Sequence, residues 1–274
     1  NASILAEMHV LAQGAGPDSV EAVSYNVISA GKELAWRRSE HSQAKEDEVS
    51  YYVYPSGKKV MKFMCSNDVK FSDKNEKEIL IKSNTNLKRV FTAMARFNFQ
   101  KNRQNGQQIR LVADSKRAKA CSAINLAGMV KRCRRLSHPM DLPFTIYANK
   151  NGDIKYLTGS KLTEVIRRAV INVYPDMPMN EVMLYSCHSI RVWACVLLHE
   201  AGMSPDFIKK RLRWLGESYR VYLRDTPKIG HQHNEALADS SQAIIDLIEA
   251  VIDGDIVPIS DSEFDDSGEY DCGD

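Results

Sequence analysis

Residues 186–225 read SCHSIRVWACVLLHEAGMSPDFIKKRLRWLGESYRVYLRD, and their punctuation predicts three short helices in succession. The first runs from about Ser189 to Ala201 and stops at Gly202, a residue free to take the left-handed conformation that closes a helix. Ser204 opens the second with a hydroxyl cap, Pro205 at the first helical position and Asp206 in the first turn. That helix ends near Trp214, and Gly216 separates it from a third carrying Tyr219 and Tyr222. Along the three run, in order, His188, Arg191, Trp214 and Tyr222.

His188 and Arg191 stand three positions apart, so they share a face at the start of a helix, where backbone N–H groups also favour an anion. That is a seat for phosphate, and a tyrosine brought to it from another helix is a nucleophile able to form a covalent phosphodiester. Taken together, H-S-I-R, R-L-R-W and Y-x-x-Y-L-R-D-T resemble the C-terminal half of the tyrosine recombinase (phage integrase) family, in the flavour of the Crypton and DIRS mobile elements of eukaryotes. The family pattern is Arg, Lys, His-x-x-Arg, His or Trp, and Tyr. His188, Arg191, Trp214 and Tyr222 match four of its positions, Tyr219 being the competitor for nucleophile.

Two positions remain to be found upstream. W-R-R-S-E at 36–40 matches the family's R-x-x-E signature with Arg37 and Glu40, and Arg38 is the out-of-frame competitor. On spacing alone the same two residues read as an ordinary i,i+3 ion pair at a helix end. The lysine of the pattern sits on a β-hairpin. Phe91 to Phe99 alternates as a strand, with Phe91, Ala93, Ala95, Phe97 and Phe99 on one side, and Asn105-Gly106 is a hairpin turn leading to a return strand at Ile109 to Val112. Lys101 falls at the tip of that hairpin and is the assignment; Arg103 is the second choice.

Elsewhere the chain predicts further elements. Residues 1 to 14 are ambiguous. Asp18 and Glu21 form a candidate capping box for a helix of about Val20 to Trp36. Tyr51 to Tyr54 and Val60 to Met64 flank a Pro55-Ser56-Gly57 turn, a second hairpin. Basic residues crowd 116–135 on a helix that reads equally as a DNA-backbone contact or as a solvated face. Ser160 to Asn172 is an amphipathic helix, and so is the stretch from Leu237 to Ile252.

Composition narrows the partners. The net charge of +2 hides an asymmetry, because residues 253–274 hold nine of the 35 acids and no Lys or Arg. Without them 26 acids face 37 basic residues, so the body carries +11 and favours a polyanion. The six cysteines form no C-x-x-C pair and no zinc spacing, His231-x-His233 is too little for a metal site, and no apolar run approaches the ~18 residues of a membrane span. Disulfide scaffolds, zinc modules and membrane channels are thereby set aside.

The resemblance covers about residues 18–226 and implies the following. The fold is α+β, mainly α: a helical catalytic core with a small antiparallel β-sheet. Residues 1–17 are an N-terminal stub in place of the family's DNA-clamping domain, 18–232 the catalytic domain, 233–252 a C-terminal helix and 253–274 an acidic, disordered tail. The activity is site-specific DNA recombination through a 3′-phosphotyrosyl intermediate. Arg37 and Arg191 grip the phosphate, Lys101 protonates the leaving 5′-oxygen, His188 acts as base or donor, Trp214 positions, Tyr222 attacks, and Glu40 orients an arginine or the histidine. No metal and no cofactor is required. The implied partner is double-stranded DNA, met as dimers or tetramers, in the nucleus for a eukaryotic element and otherwise inside the cell. The alternative is a domesticated DNA-binding domain that no longer cuts; the H-x-x-R signature argues against a type IB topoisomerase.

Overall fold

A computed structural model of the chain describes residues 2–100, 105–114 and 119–223. The ambiguous first residues form a helix, α1 (Ala2–Ala15), whose Ile4, Leu5, Met8 and Ala12 are buried against α2 (Val20–Leu34). The spacing i, i+1, i+4, i+8 gives one apolar stripe, which the polar residues between had blurred in the sequence. α2 starts one residue later than the predicted capping box requires. Ser19 is the cap, its hydroxyl accepting from Ala22 N at 3.1 Å. Asp18 instead binds Arg135, and Glu21 pairs with Arg168 at 2.6 Å.

Helix α2 is the spine of the main core, touching α1, α4 (Ser122–Arg135), α5 (Gly159–Val173) and α7 (Ser189–Glu200). Its end is set by a left-handed residue, Ala35 at φ 41°, whose N–H reaches Gly31 O at 2.7 Å. The predicted extension to Trp36 therefore fails; Trp36 turns inward against His41 and Phe144. A four-residue helix, α3 (Arg38–His41), follows. Thr145 holds this segment by donating to His41 O at 2.8 Å, as does the Gln43 N to Leu157 O bond at 2.9 Å.

The strands are small and antiparallel among the described residues. β1 (Tyr51–Val53) pairs with β2 (Lys59–Met61), β3 (Val69–Ser72) with β4 (Thr92–Phe97), β4 with β5 (Gln107–Val112), and β6 (Ile146–Ala148) with β7 (Ile154–Tyr156). The alternation expected of the central strand holds for Ala93, Ala95 and Phe97, all buried. Phe91 breaks it: the strand starts at Thr92, and Phe91 lies exposed. In the basic helix, Arg132 is buried and donates to Asn26 Oδ1 at 2.7 Å and Pro17 O at 3.0 Å, so it ties the fold together rather than facing a partner. The fold is thus mixed, mainly helical, with small antiparallel sheets.

The remaining helices are α6 (Met179–Val182) and α8 (Pro205–Leu212), opened by Ser204 as its sequence predicts. Tyr219 and Tyr222 lie on a single 3₁₀ stretch, Glu217–Tyr222, instead of an α-helix. A second core cluster, of Ala35, Ala194, Cys195, Ile208, Leu212, Trp214 and Tyr219, holds α7, α8 and that stretch against the end of α2. The expected C-terminal helix and acidic tail lie outside the described residues. None of the described helices is long and apolar enough to cross a membrane.

Gly31 decides how closely α2 meets α7. A Cβ there would stand 2.4 Å from Ile190 Cγ2 and 2.6 Å from Trp36 Nε1. Gly31→Ala should therefore destabilise by about 1–3 kcal/mol through overpacking, despite alanine's better helix propensity, read as a fall in the denaturant midpoint at unchanged slope.

Candidate functional site

The turn that ends α2 presents two carbonyls, of Leu34 and Ala35, and then Arg37 and Glu40. Glu40 is 3% exposed, and its carboxylate is filled from several sides. Arg213 grips it bidentately, Nη1 to Oε1 at 2.8 Å and Nη2 to Oε2 at 2.9 Å. Arg37 adds its guanidinium Nη1 at 3.0 Å and its backbone N–H at 2.7 Å. Burial alone would raise this carboxyl; the charges and hydrogen bonds of Arg213 and Arg37 outweigh it and hold the group below the usual carboxylate range.

Arg213 is the residue that sequence reasoning passed over. It caps α8 in the left-handed conformation, φ 61°, and is 1% exposed. Its guanidinium also reaches Leu34 O at 3.0 Å and Gln100 Oε1 at 3.2 Å, and lies 3.6 Å over the Phe97 ring. One side chain thus joins the end of α2, the short α3 and the root of the β4–β5 hairpin. The only signal in the sequence was a charge lodged between Leu212 and Trp214, two residue types that seek the core.

Arg191, in the first turn of α7, is fixed by two carbonyls: Nη1 donates to Ala35 O at 2.7 Å and Nη2 to Leu212 O at 3.2 Å. Three of its five N–H groups are not used in these bonds. Its carbon Cζ sits 4.6 Å from the Trp214 ring centroid. Arg37 is tied to the same neighbourhood by Nη2 to Arg213 O at 3.1 Å. Three guanidiniums therefore surround one carboxylate, an excess of two positive charges. Burial, and then the charges of Arg37 and Arg213, push Arg191 down to about 9.

Against this cation cluster stands Tyr222. Its hydroxyl is 3.1 Å from His188 Nε2, and its ring meets that of Trp214 edge-on at 5.0 Å. Burial first, and the Arg191 charge second, hold His188 below its ordinary value, so the imidazole is neutral at pH 7. Trp214 is buried, and its indole N–H has no hydrogen-bond partner among the described residues. Such an orphaned donor typically costs about 1–3 kcal/mol. Tyr219, the rival phenol, is 1% exposed and packs edge-on against Trp214 within the second core.

Arg37, Glu40, His188, Arg191, Trp214 and Tyr222 are thereby joined through one continuous set of contacts. Lys101 and Arg103 lie outside the described residues; the preceding Gln100 touches Arg213. Arg38 points elsewhere, into a groove beside His188. Among the described residues no group of three His, Cys, Asp or Glu side chains is placed to hold a metal, and Cys65, Cys121, Cys133, Cys187 and Cys195 are buried free thiols.

Removing Arg213 takes the bidentate cation from a buried carboxylate and leaves Arg37 alone to neutralise it. Arg213→Ala should cost about 3–5 kcal/mol in chemical denaturation, and Arg213→Ala with Glu40→Gln less than the sum of the two single changes. No protein-family model matches this sequence, and comparison with curated proteins likewise finds no match.

Proposed function

We propose that this chain is a tyrosine-type DNA recombinase that cuts and rejoins strands through a covalent 3′-phosphotyrosyl link, in the service of a mobile element. The observation that carries the reading is the contact of Tyr222 with a neutral His188 at 3.1 Å, beside two arginines and an unpartnered indole N–H.

The chemistry follows from these groups. Tyr222 Oη attacks the phosphorus and its proton passes to His188 Nε2. Negative charge grows on the nonbridging oxygens, where the spare N–H groups of Arg191 and Arg37 and the N–H of Trp214 supply hydrogen bonds that need no reorganisation. Trp214 can donate once but cannot shuttle a proton. The bond from phosphorus to the 5′-oxygen breaks, and that oxygen takes a proton; the family resemblance assigns its donor to Lys101. One phosphodiester is exchanged for another, so religation is close to isoenergetic and calls for no nucleotide. The excess positive charge of the cluster supports the same reading: burial first, and then the charges of Arg37 and Arg213, depress Arg191, and a phosphate would offset the second of these. Double-stranded DNA is the proposed substrate, engaged by dimers or tetramers, in the nucleus if the element is eukaryotic.

Incubation with a nicked suicide DNA substrate should give a covalent adduct that Tyr222→Phe abolishes and Tyr219→Phe keeps. Arg37→Ala and Arg191→Ala should each slow its formation by about 10² to 10³. A wild-type chain that binds DNA yet forms no adduct would instead identify a domain that no longer cuts. The adduct rate should be flat near neutrality and fall as the pH drops through a value below 6.5, because protonated His188 cannot accept the phenolic proton; His188→Gln should flatten that limb.

A further inference from the structure

Beside His188 lies an open groove of about 960 Å³, on the side of that residue formed by the start of α5. Arg38, Ser160, Thr163, Arg167 and Ser186 line it along with His188. We propose that this groove binds the sugar–phosphate backbone of the DNA strand next to the phosphate held by Arg37 and Arg191, with Arg38 as its principal phosphate ligand. The inference rests on the DNA-cutting reading for the identity of its partner, and on the groove's own chemistry for its location.

The charges in the groove separate into spent and unspent ones. Arg168 is paired with Glu21 at 2.6 Å and Glu164 with Lys161 at 3.5 Å, so these cancel. Arg167 donates to Tyr185 O at 2.9 Å and Met183 O at 2.7 Å, which engages two of its five N–H groups without neutralising its charge. The side chain of Arg38 is exposed and makes no hydrogen bond or ion pair among the described residues, its backbone carbonyl alone accepting from Ser42 N. The groove therefore carries the positive charge of two unneutralised guanidiniums, and one of them has its full set of N–H donors free.

The hydroxyls point the same way. Thr163 Oγ1 accepts from Cys187 N at 3.1 Å and Ser186 Oγ from His188 N at 3.3 Å. With lone pairs engaged by the backbone, each O–H remains as a donor, which is what a phosphate oxygen needs. The Arg38 stem lies across Gly159, where a Cβ would come within 2.8 Å of Arg38 Cδ. Glycine at that position lets the arginine lie low over the first turn of α5 instead of being lifted away. Because His188 lines this groove and also contacts Tyr222, a strand whose phosphate sits at Tyr222 would carry its neighbouring phosphates along Arg38.

The measurement is a fluorescence-anisotropy titration of the full chain with a random-sequence DNA duplex across a salt series. If Arg38 contacts a phosphate, Arg38→Ala lowers the slope of log Kobs against log[salt] by about 0.9 and weakens binding whatever the sequence. Arg38→Lys should recover the slope, and Arg38→Gln, which keeps length without charge, should match the alanine. Since Arg38 is exposed, melting curves of all three variants should overlay the parent. An unchanged slope in Arg38→Ala and Arg38→Gln would overturn the groove assignment, whether or not the suicide substrate gives an adduct. An Arg38-dependent slope in a chain that forms no adduct would leave the groove standing and remove the strand-cutting reading alone.

Discussion

Glu40 shares its carboxylate between Arg213 and Arg37, and the geometry of the site follows from that sharing. Taking a carboxylate out of water costs several kcal/mol, so the buried group must find cations with good geometry. Arg213 meets that need from 173 residues away, bidentately, and in doing so locks the end of α8 onto the turn after α2. Its neighbours then have little freedom: Leu212 O and Ala35 O become the two anchors of Arg191, and Arg213 O becomes an anchor of Arg37. The pair adds little net stability compared with well-packed apolar side chains. What it supplies is a single arrangement, in which Arg37 and Arg191 are each held by a carbonyl or carboxylate that leaves part of their N–H groups unused.

A cluster built this way is under electrostatic tension. Three guanidiniums and one carboxylate stand together, and burial first, then the charges of Arg37 and Arg213, lower the proton affinity of Arg191 to about 9. Burial, and after it the Arg191 charge, hold His188 below its ordinary value, so its imidazole is neutral, the form able to take a proton from a phenol. Trp214 bridges the two halves, its face against Arg191 and its side against Tyr222, while its N–H has no acceptor among the described residues.

Much of this was legible because local rules carried it. The Ser204-Pro205 helix start, the stop at Gly202, the alternation of Ala93, Ala95 and Phe97, and the i,i+3 spacing of His188 and Arg191 each depend on neighbours within a few residues. Misreadings came where local signals tied. Ser19 and Asp18 both suit a helix cap, and the choice went to the serine because Asp18 is drawn to Arg135 on α4. Phe91 has the residue type of a core strand position, yet the pairing begins one residue later. Arg213 gave almost no sign, since nothing along the chain tells an arginine that a carboxylate 173 positions earlier will be buried beside it.

The sequence by itself determined the set of chemical groups and their order: an arginine and glutamate three apart, a histidine and arginine three apart, then a tryptophan and a tyrosine, on segments whose helix and strand types follow from short-range periodicity. Only the tertiary structure decided which arginine serves which end, that Tyr222 rather than Tyr219 faces His188, and that Arg38 turns to a separate groove. The physical reason is range. Periodicity and capping act over three or four residues, whereas desolvation and charge pairing are settled only when distant segments exclude water from the same point.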